Sequence, residues 1–136
     1  MIASVPSYTN LGMSNLLPNN EIEAIINDKS IDYSIKGIKT NSANREKIIQ
    51  LVEPNATVEE YAQFMRLSIS EQRDVLKANK VTYIYHNWMD AIGDKRNSEY
   101  YTFEAVEQCI DQLKLLIKKL YNSLNMYNIY VTADHG

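Results

Sequence analysis

The residues best suited to chemistry are Asp134 and His135, in the run Thr132-Ala133-Asp134-His135-Gly136 that follows a strand-like segment, Tyr127 to Val131. Open α/β enzymes hold metals and substrates just beyond the carboxyl ends of parallel strands, so an Asp-His pair there is a candidate ligand pair. A second acidic group follows another strand pattern, Val81-Thr82-Tyr83-Ile84-Tyr85. In the stretch His86-Asn87-Trp88-Met89-Asp90-Ala91-Ile92-Gly93-Asp94, the carboxylates Asp90 and Asp94 stand four apart, with Gly93 relieving the bend. Carboxylates combined with imidazole form a mixed oxygen and nitrogen donor set suited to Zn²⁺ or Mn²⁺. Taken singly, an Asp-x-x-Gly-Asp stretch is more often a solvated loop or helix cap, and a strand-end Asp-His more often structural. Their joint placement at the ends of two strands of one unit favours the functional reading. Asp134 and His135 also stand within three positions of the last residue, where backbones usually fray. The expectation is a piece of a larger enzyme, cut close to its site.

The elements that must position these groups are legible from periodicity. Pro6 fixes an extended start, and Thr9 stands where a short helix can begin over Asn10 to Leu17, with Pro18 closing it. Glu21 to Ile26 and Ile31 to Ile35 are β-branched runs separated by turn residues, which predicts a hairpin. Asn41 or Ser42 can cap a helix to about Val52. Thr57-Val58-Glu59-Glu60 has a capping-box pattern and predicts a helix to about Leu67, and Ser70-Glu71-Gln72-Arg73 starts another to about Asn79. Residues 41–79 therefore read as a helical cover or insertion without chemistry of its own. Thr102 can cap a helix over Phe103 to Leu124, whose stripe is Phe103, Val106, Ile110, Leu113, Ile117, Leu120 and Leu124. With strands at Val81–Tyr85 and Ile129-Tyr130-Val131 on either side, the pattern predicts a βαβ unit with parallel pairing. A coiled-coil seam is the less favoured use of that stripe.

Composition narrows the classes. The 136 residues suit one domain, at a size that buries roughly two-thirds of its unfolded surface. A net charge of -3 gives no electrostatic case for nucleic acid or anionic membrane as the main partner. No run approaches the roughly 20 apolar residues of a bilayer span, and the start, Met1-Ile2-Ala3-Ser4-Val5-Pro6, lacks a secretory pattern. A cytoplasmic location is expected. Cys109, the single cysteine, sits amid helical apolar spacing and reads as a buried structural thiol rather than a reactive one.

Tyr83 to Lys95, then Glu99, Phe103 and Ala105-Val106-Glu107, then Val131 to Gly136, resemble the PglZ domain, a branch of the alkaline phosphatase superfamily. Val5-Pro6-Ser7-Tyr8-Thr9-Asn10-Leu11-Gly12-Met13 with Leu16-Leu17-Pro18 is similar to that family's segment around its nucleophile. The resemblance covers both ends of the chain in the right order, is looser in the middle, and points to the PglZ proteins of BREX phage-defence systems. It implies an α/β chain with a partial alkaline-phosphatase-like fold. It further implies a metal-dependent phosphatase or phosphodiesterase-like hydrolase acting on a phosphate ester, with two divalent metal ions in the complete protein.

By the same resemblance Thr9 is the nucleophile, with Ser7 as fallback. A nearby metal lowers a hydroxyl pKa, and a helix N-terminus favours phosphate charge. Asp134 and His135 match the pair that binds the nucleophile's metal, and Asp90 matches a ligand of the second. Asp94 stands where many relatives carry His. His86 is either a group supporting the site or a buried, hydrogen-bonded structural histidine. The family also has an Asp ligand well before the nucleophile segment and a His ligand well after Asp-His-Gly, neither of them in these residues. The chain alone is therefore expected to bind metal weakly and catalyse poorly. Two other readings stay open: a non-catalytic assembly component working with other defence-system proteins, and a truncated remnant with no independent function.

Overall fold

The computed structural model describes residues 8–19, 21–27, 30–87 and 99–134, with the backbone alone for 99–103. The architecture is mixed α/β, and the chain divides into two compact units. The first comprises the described residues up to Val58, Asn79–Val81 and those from Val131; the second comprises Glu59–Ala78 and the described part of Thr82–Tyr130.

In the first unit, helix α1 (Thr9–Asn15) precedes an antiparallel hairpin of β1 (Glu23–Asn27) and β2 (Ser30–Ile35). The register sets Glu23 opposite Ser34 and Ile26 opposite Ile31, as the two β-branched runs predict. A third strand escapes that pattern: β3 (Ile38–Lys39) pairs with β2 through the turn Lys36-Gly37. Both turn residues have positive φ, 50° and 74°, the combination that lets a two-residue hairpin follow the right-handed strand twist. The helix expected from Asn41 or Ser42 is split into a 3₁₀ turn at Ser42–Asn44 and α2 (Arg45–Gln50), which ends two residues short of Val52. Asn41 makes no side-chain cap bond, whereas the Asn44 amide donates to the Lys39 carbonyl at 3.1 Å.

Strands β4 (Ala56–Glu60) and β5 (Val81–Tyr85) form a two-stranded parallel sheet. The Asn55 carbonyl accepts the Lys80 N–H at 2.8 Å, so the two strands start side by side. Here the structure corrects the expected capping box at Thr57-Val58-Glu59-Glu60, because that stretch is strand. The Thr57 hydroxyl donates to the Glu46 carboxylate at 3.0 Å instead of capping a helix. Helix α3 (Tyr61–Arg66) begins only after Glu60, which is still extended at φ -87°, ψ 133°. The strand β4 thus lies within residues 41–79, where the sequence pattern predicts a series of helices. The true capping box lies downstream. The Glu71 N–H donates to the Ser68 hydroxyl at 3.3 Å and the Ser68 N–H to the Glu71 carboxylate at 2.8 Å, opening α4 (Ile69–Ala78). Hydrogen bonding from the Ser68 hydroxyl and from its backbone N–H holds the Glu71 carboxyl below its ordinary range, because it favours the charged form.

Helix α5 runs over Glu99–Leu124, so it starts earlier than Phe103, and Thr102 lies inside it rather than capping it. It ends at Leu124 as expected, with Asn125 in the left-handed region at φ 58°, a conformation Asn tolerates at helix ends. The second unit's core is Phe64, Leu76, Leu116, Leu120 and Leu124, with Ile84 of β5 and Ile129 packed against it. The buried face of α5 is rotated from the expected stripe. Ala105, Leu116, Leu120 and Leu124 are buried, while Val106, Ile110 and Ile117 are 37%, 46% and 37% exposed. Both faces carry apolar side chains at helical spacing, so spacing alone does not choose between them.

The parallel crossover is present, but β4, α3, α4 and β5 build it, not β5, α5 and a strand at Ile129-Tyr130-Val131. Those three residues form no ladder among the described residues. Ile129 packs on the core, and Tyr130 is 93% exposed. An apolar alternating run becomes a strand only where a neighbour supplies hydrogen bonds. No described helix is long and apolar enough to cross a membrane.

Candidate functional site

Thr9 is exposed and is the first helical residue of α1; the N-cap is Tyr8, extended at φ -119°, ψ 116°. The cap position thus falls one residue earlier than Thr9. A chain of hydroxyls holds α1 in place within the first unit. Buried Ser14 lies 2.6 Å from the Asn10 carbonyl and 2.6 Å from the Thr40 hydroxyl. The Thr40 hydroxyl also donates to the Tyr33 carbonyl at 3.1 Å, so the two hydroxyl protons are shared among three close contacts. The Thr40 backbone N–H bonds the Tyr33 carbonyl at 2.9 Å, which carries the linkage from α1 to β2. On the outer side, the Tyr8 and Tyr33 rings meet at a tilt, centroids 6.3 Å apart, and the Asn10 amide donates to the Tyr8 hydroxyl at 3.2 Å.

Asp134 is half-buried and comes against this same helix. A Cβ placed on Gly12 would run into the Asp134 carbonyl oxygen and stand 2.9 Å from its carbonyl carbon. Gly12 is three residues from Thr9, hence on the same helix face. The structure therefore brings two of the sequence-predicted residues, Thr9 and Asp134, to one face of α1. The other predicted ligands, Asp90, Asp94 and His135, lie outside the described residues, as does Ser7. Among the described residues no group of three or more His, Cys, Asp or Glu side chains is placed to hold a metal ion.

Gly12 is the positioning residue that motif reading passed over. The signal was present: an isolated glycine inside a helical pattern usually has a packing reason. Gly12→Ala tests it, because two effects of opposite sign compete. Helix propensity alone favours Ala by about 1 kcal/mol, whereas forcing a methyl into an occupied contact costs about 1–3 kcal/mol. The blocking atoms are backbone, so the second effect is expected to win and the urea midpoint to fall. A rise in the midpoint would mean that Asp134 does not press on α1.

In the second unit, His86 Nε2 lies 2.7 Å from Gln112 Oε1 and Nδ1 lies 3.6 Å from Cys109 Sγ. An amide oxygen only accepts, so Nε2 carries the proton and Nδ1 can accept the thiol hydrogen. The Tyr61 ring meets the imidazole edge-on at 4.6 Å. His86 is thus a partly buried, fully bonded histidine, the structural of its two expected roles. Burial pushes the Cys109 thiol and the Tyr61 phenol up, which leaves the thiol protonated and poorly nucleophilic near neutral pH.

The chain matches the model of the BREX system PglZ alkaline phosphatase-like domain over residues 1–136. It is 36% identical over 133 residues to the alkaline phosphatase-like protein PglZ of Bacillus cereus (strain H3081.97), covering 97% of this chain and 15% of that protein. It is 37% identical over 133 residues to the alkaline phosphatase-like protein BrxZ of Escherichia coli O9:H4 (strain HS), again covering 97% of this chain and 15% of the relative. The chain therefore spans about 15% of the length of the curated relatives it matches. No solved structure matches it significantly.

Proposed function

Because this chain belongs to the PglZ alkaline phosphatase-like family of BREX defence systems, we propose that it carries the nucleophile segment of a cytoplasmic, metal-dependent hydrolase of phosphate mono- or diesters. The activity would belong to the full-length protein, of which these residues form one part. The observation that supports this reading most is the approach of Asp134 to α1 at Gly12, one turn from Thr9. A nucleophile and a carboxylate that share a cation need their backbones close together, and the contact of the Asp134 main chain with α1 is consistent with that.

Asp134 and His135 would hold one divalent ion together with Thr9, Asp90 and Asp94 would contribute to a second, and the pair of ions would supply charge neutralisation and a lowered hydroxyl pKa. The oxygen-rich set with one imidazole suits Zn²⁺ or Mn²⁺. Thr9 would attack phosphorus in line, its Oγ presented from an exposed first-turn position. The hydroxyl chain from Ser14 to Thr40 would keep α1 from shifting when substrate binds. Other proteins of the defence system are the proposed partners.

The test is hydrolysis of p-nitrophenyl phosphate and its bis ester by the full-length protein. Turnover is expected with Zn²⁺ or Mn²⁺, to be lost on chelation and to return on adding either ion. A folded, metal-loaded protein that turns over neither ester would instead favour a non-catalytic role in assembly of the defence complex.

A further inference from the structure

Helix α5 carries two apolar faces, and the core of the second unit covers only one of them. Ala105, Leu116, Leu120 and Leu124 are buried, whereas Val106, Ile110 and Ile117 stay more than a third exposed and Tyr121 is 54% exposed. At about 100° per residue, Val106, Ile110, Leu113, Ile117 and Tyr121 fall within roughly 80° of one another, beside the buried face. Tyr127 extends this stripe, its ring edge-on to that of Tyr121 with centroids 5.2 Å apart. Apolar residues scattered singly over a surface need no explanation, but a contiguous row marks an interaction surface. A helix that is apolar on more than one side is covered on more than one side.

A row of charge borders the stripe on the side away from the core, with Glu107, Lys114 and Lys118 about 60–100° from the stripe's centre. Lys114 is held by Asp111 at 3.1 Å, which takes that pair out of the balance. An acidic flank remains at Glu107, with Glu104 a turn before it, and a basic flank at Lys118. The helix dipole acts within the terminal turns, and Glu107 and Lys118 both lie further inside Glu99–Leu124. What covers the stripe is larger than this chain, which spans about 15% of the relatives it matches. A segment of the same polypeptide meets the stripe at a high effective concentration. A second copy is poorly matched, because this row falls far short of the roughly 20–30 residues a side of a stable interface.

We propose that the outer stripe of α5 is a docking surface for another part of the full-length polypeptide. That part presents an apolar ridge, with basic groups beside Glu104 and Glu107 and acidic groups beside Lys118. Neither Thr9 nor a metal ligand takes part, so the surface stands whether or not the full-length protein hydrolyses an ester.

The test is hydroxyl-radical footprinting of the full-length protein, read by mass spectrometry at each side chain and scaled to the urea-unfolded protein. At dilutions where light scattering shows a monomer, Ile110, Ile117 and Tyr121 are expected to react about tenfold more slowly than when unfolded, as for a face open about a tenth of the time. Leu115, 55% exposed on the far side of α5, is the reference and should stay reactive. Ile110→Lys should return Ile117 to near its unfolded rate while Phe64 stays protected, which separates loss of docking from loss of fold. Lys118→Glu should raise the Ile117 rate about two- to fivefold, the size of an exposed ion pair. Stripe residues as reactive as Leu115, or Ile117 unmoved by either variant, would overturn the proposal. Protection that disappears on dilution would assign the stripe to a second copy and overturn it as well.

Discussion

Thr9→Ala in the full-length protein is expected to abolish phosphate-ester hydrolysis, with a fall on the order of 10⁴-fold or more, the scale reached when a covalent nucleophile is removed. The substitution is a clean one. Thr9 is exposed, it opens α1 rather than capping it, and the N-cap backbone belongs to Tyr8. Alanine is the best helix former, so the change in stability should stay within about 0.5 kcal/mol, as for most surface sites. A large loss of rate with an unchanged denaturation midpoint would therefore report on chemistry and not on folding. Thr9→Ser, which keeps a hydroxyl at the same backbone position, should retain measurable turnover. Full activity in the alanine variant would exclude Thr9 as nucleophile and make Ser7 the next residue to test.

Phe64→Ala is expected to cost about 3–5 kcal/mol, as loss of a fully buried aromatic does. Phe64 is 0% exposed and clusters with Leu76, Leu116, Leu120 and Leu124, so its removal leaves a hole shared by α3, α4 and α5. Its carbonyl also accepts from the Gln72 amide at 2.7 Å, and Gln72 is itself fully buried. Collapse of α3 into the hole would strain that bond, which opposes relaxation. Domains of this size are stable by only about 5–15 kcal/mol, so the second unit is expected to lose most of its helical signal at mild denaturant. A midpoint change equivalent to less than about 1 kcal/mol, small beside the 3–5 kcal/mol of a buried aromatic, would show that Phe64 does not anchor this core.

Family membership was legible because it rests on short runs of sequence, Pro-Ser-Tyr-Thr and Thr-Ala-Asp-His-Gly, whose residue types are constrained by chemistry. The hairpin of β1 and β2, the strand β5 and the end of α5 were legible for a related reason, since alternation, helical spacing and turn residues act over two to four neighbours. The misreading of Thr57 to Glu60 shows the limit. Ser/Thr followed three places later by Glu marks a capping box equally well at Thr57 and Ser68, and only at Ser68 does the geometry form. At Thr57 a parallel partner, β5, captures the backbone first.

The sequence by itself determined the family, the α/β class and the residue types available for chemistry, all of which follow from local pattern. The tertiary structure alone decided which side of α5 is buried and that Ile129 to Val131 form no ladder among the described residues. It also decided that Gly12 is where Asp134 meets the helix of Thr9. Each of those outcomes depends on a partner from a distant segment, and a contact between distant segments leaves no periodic trace in either one.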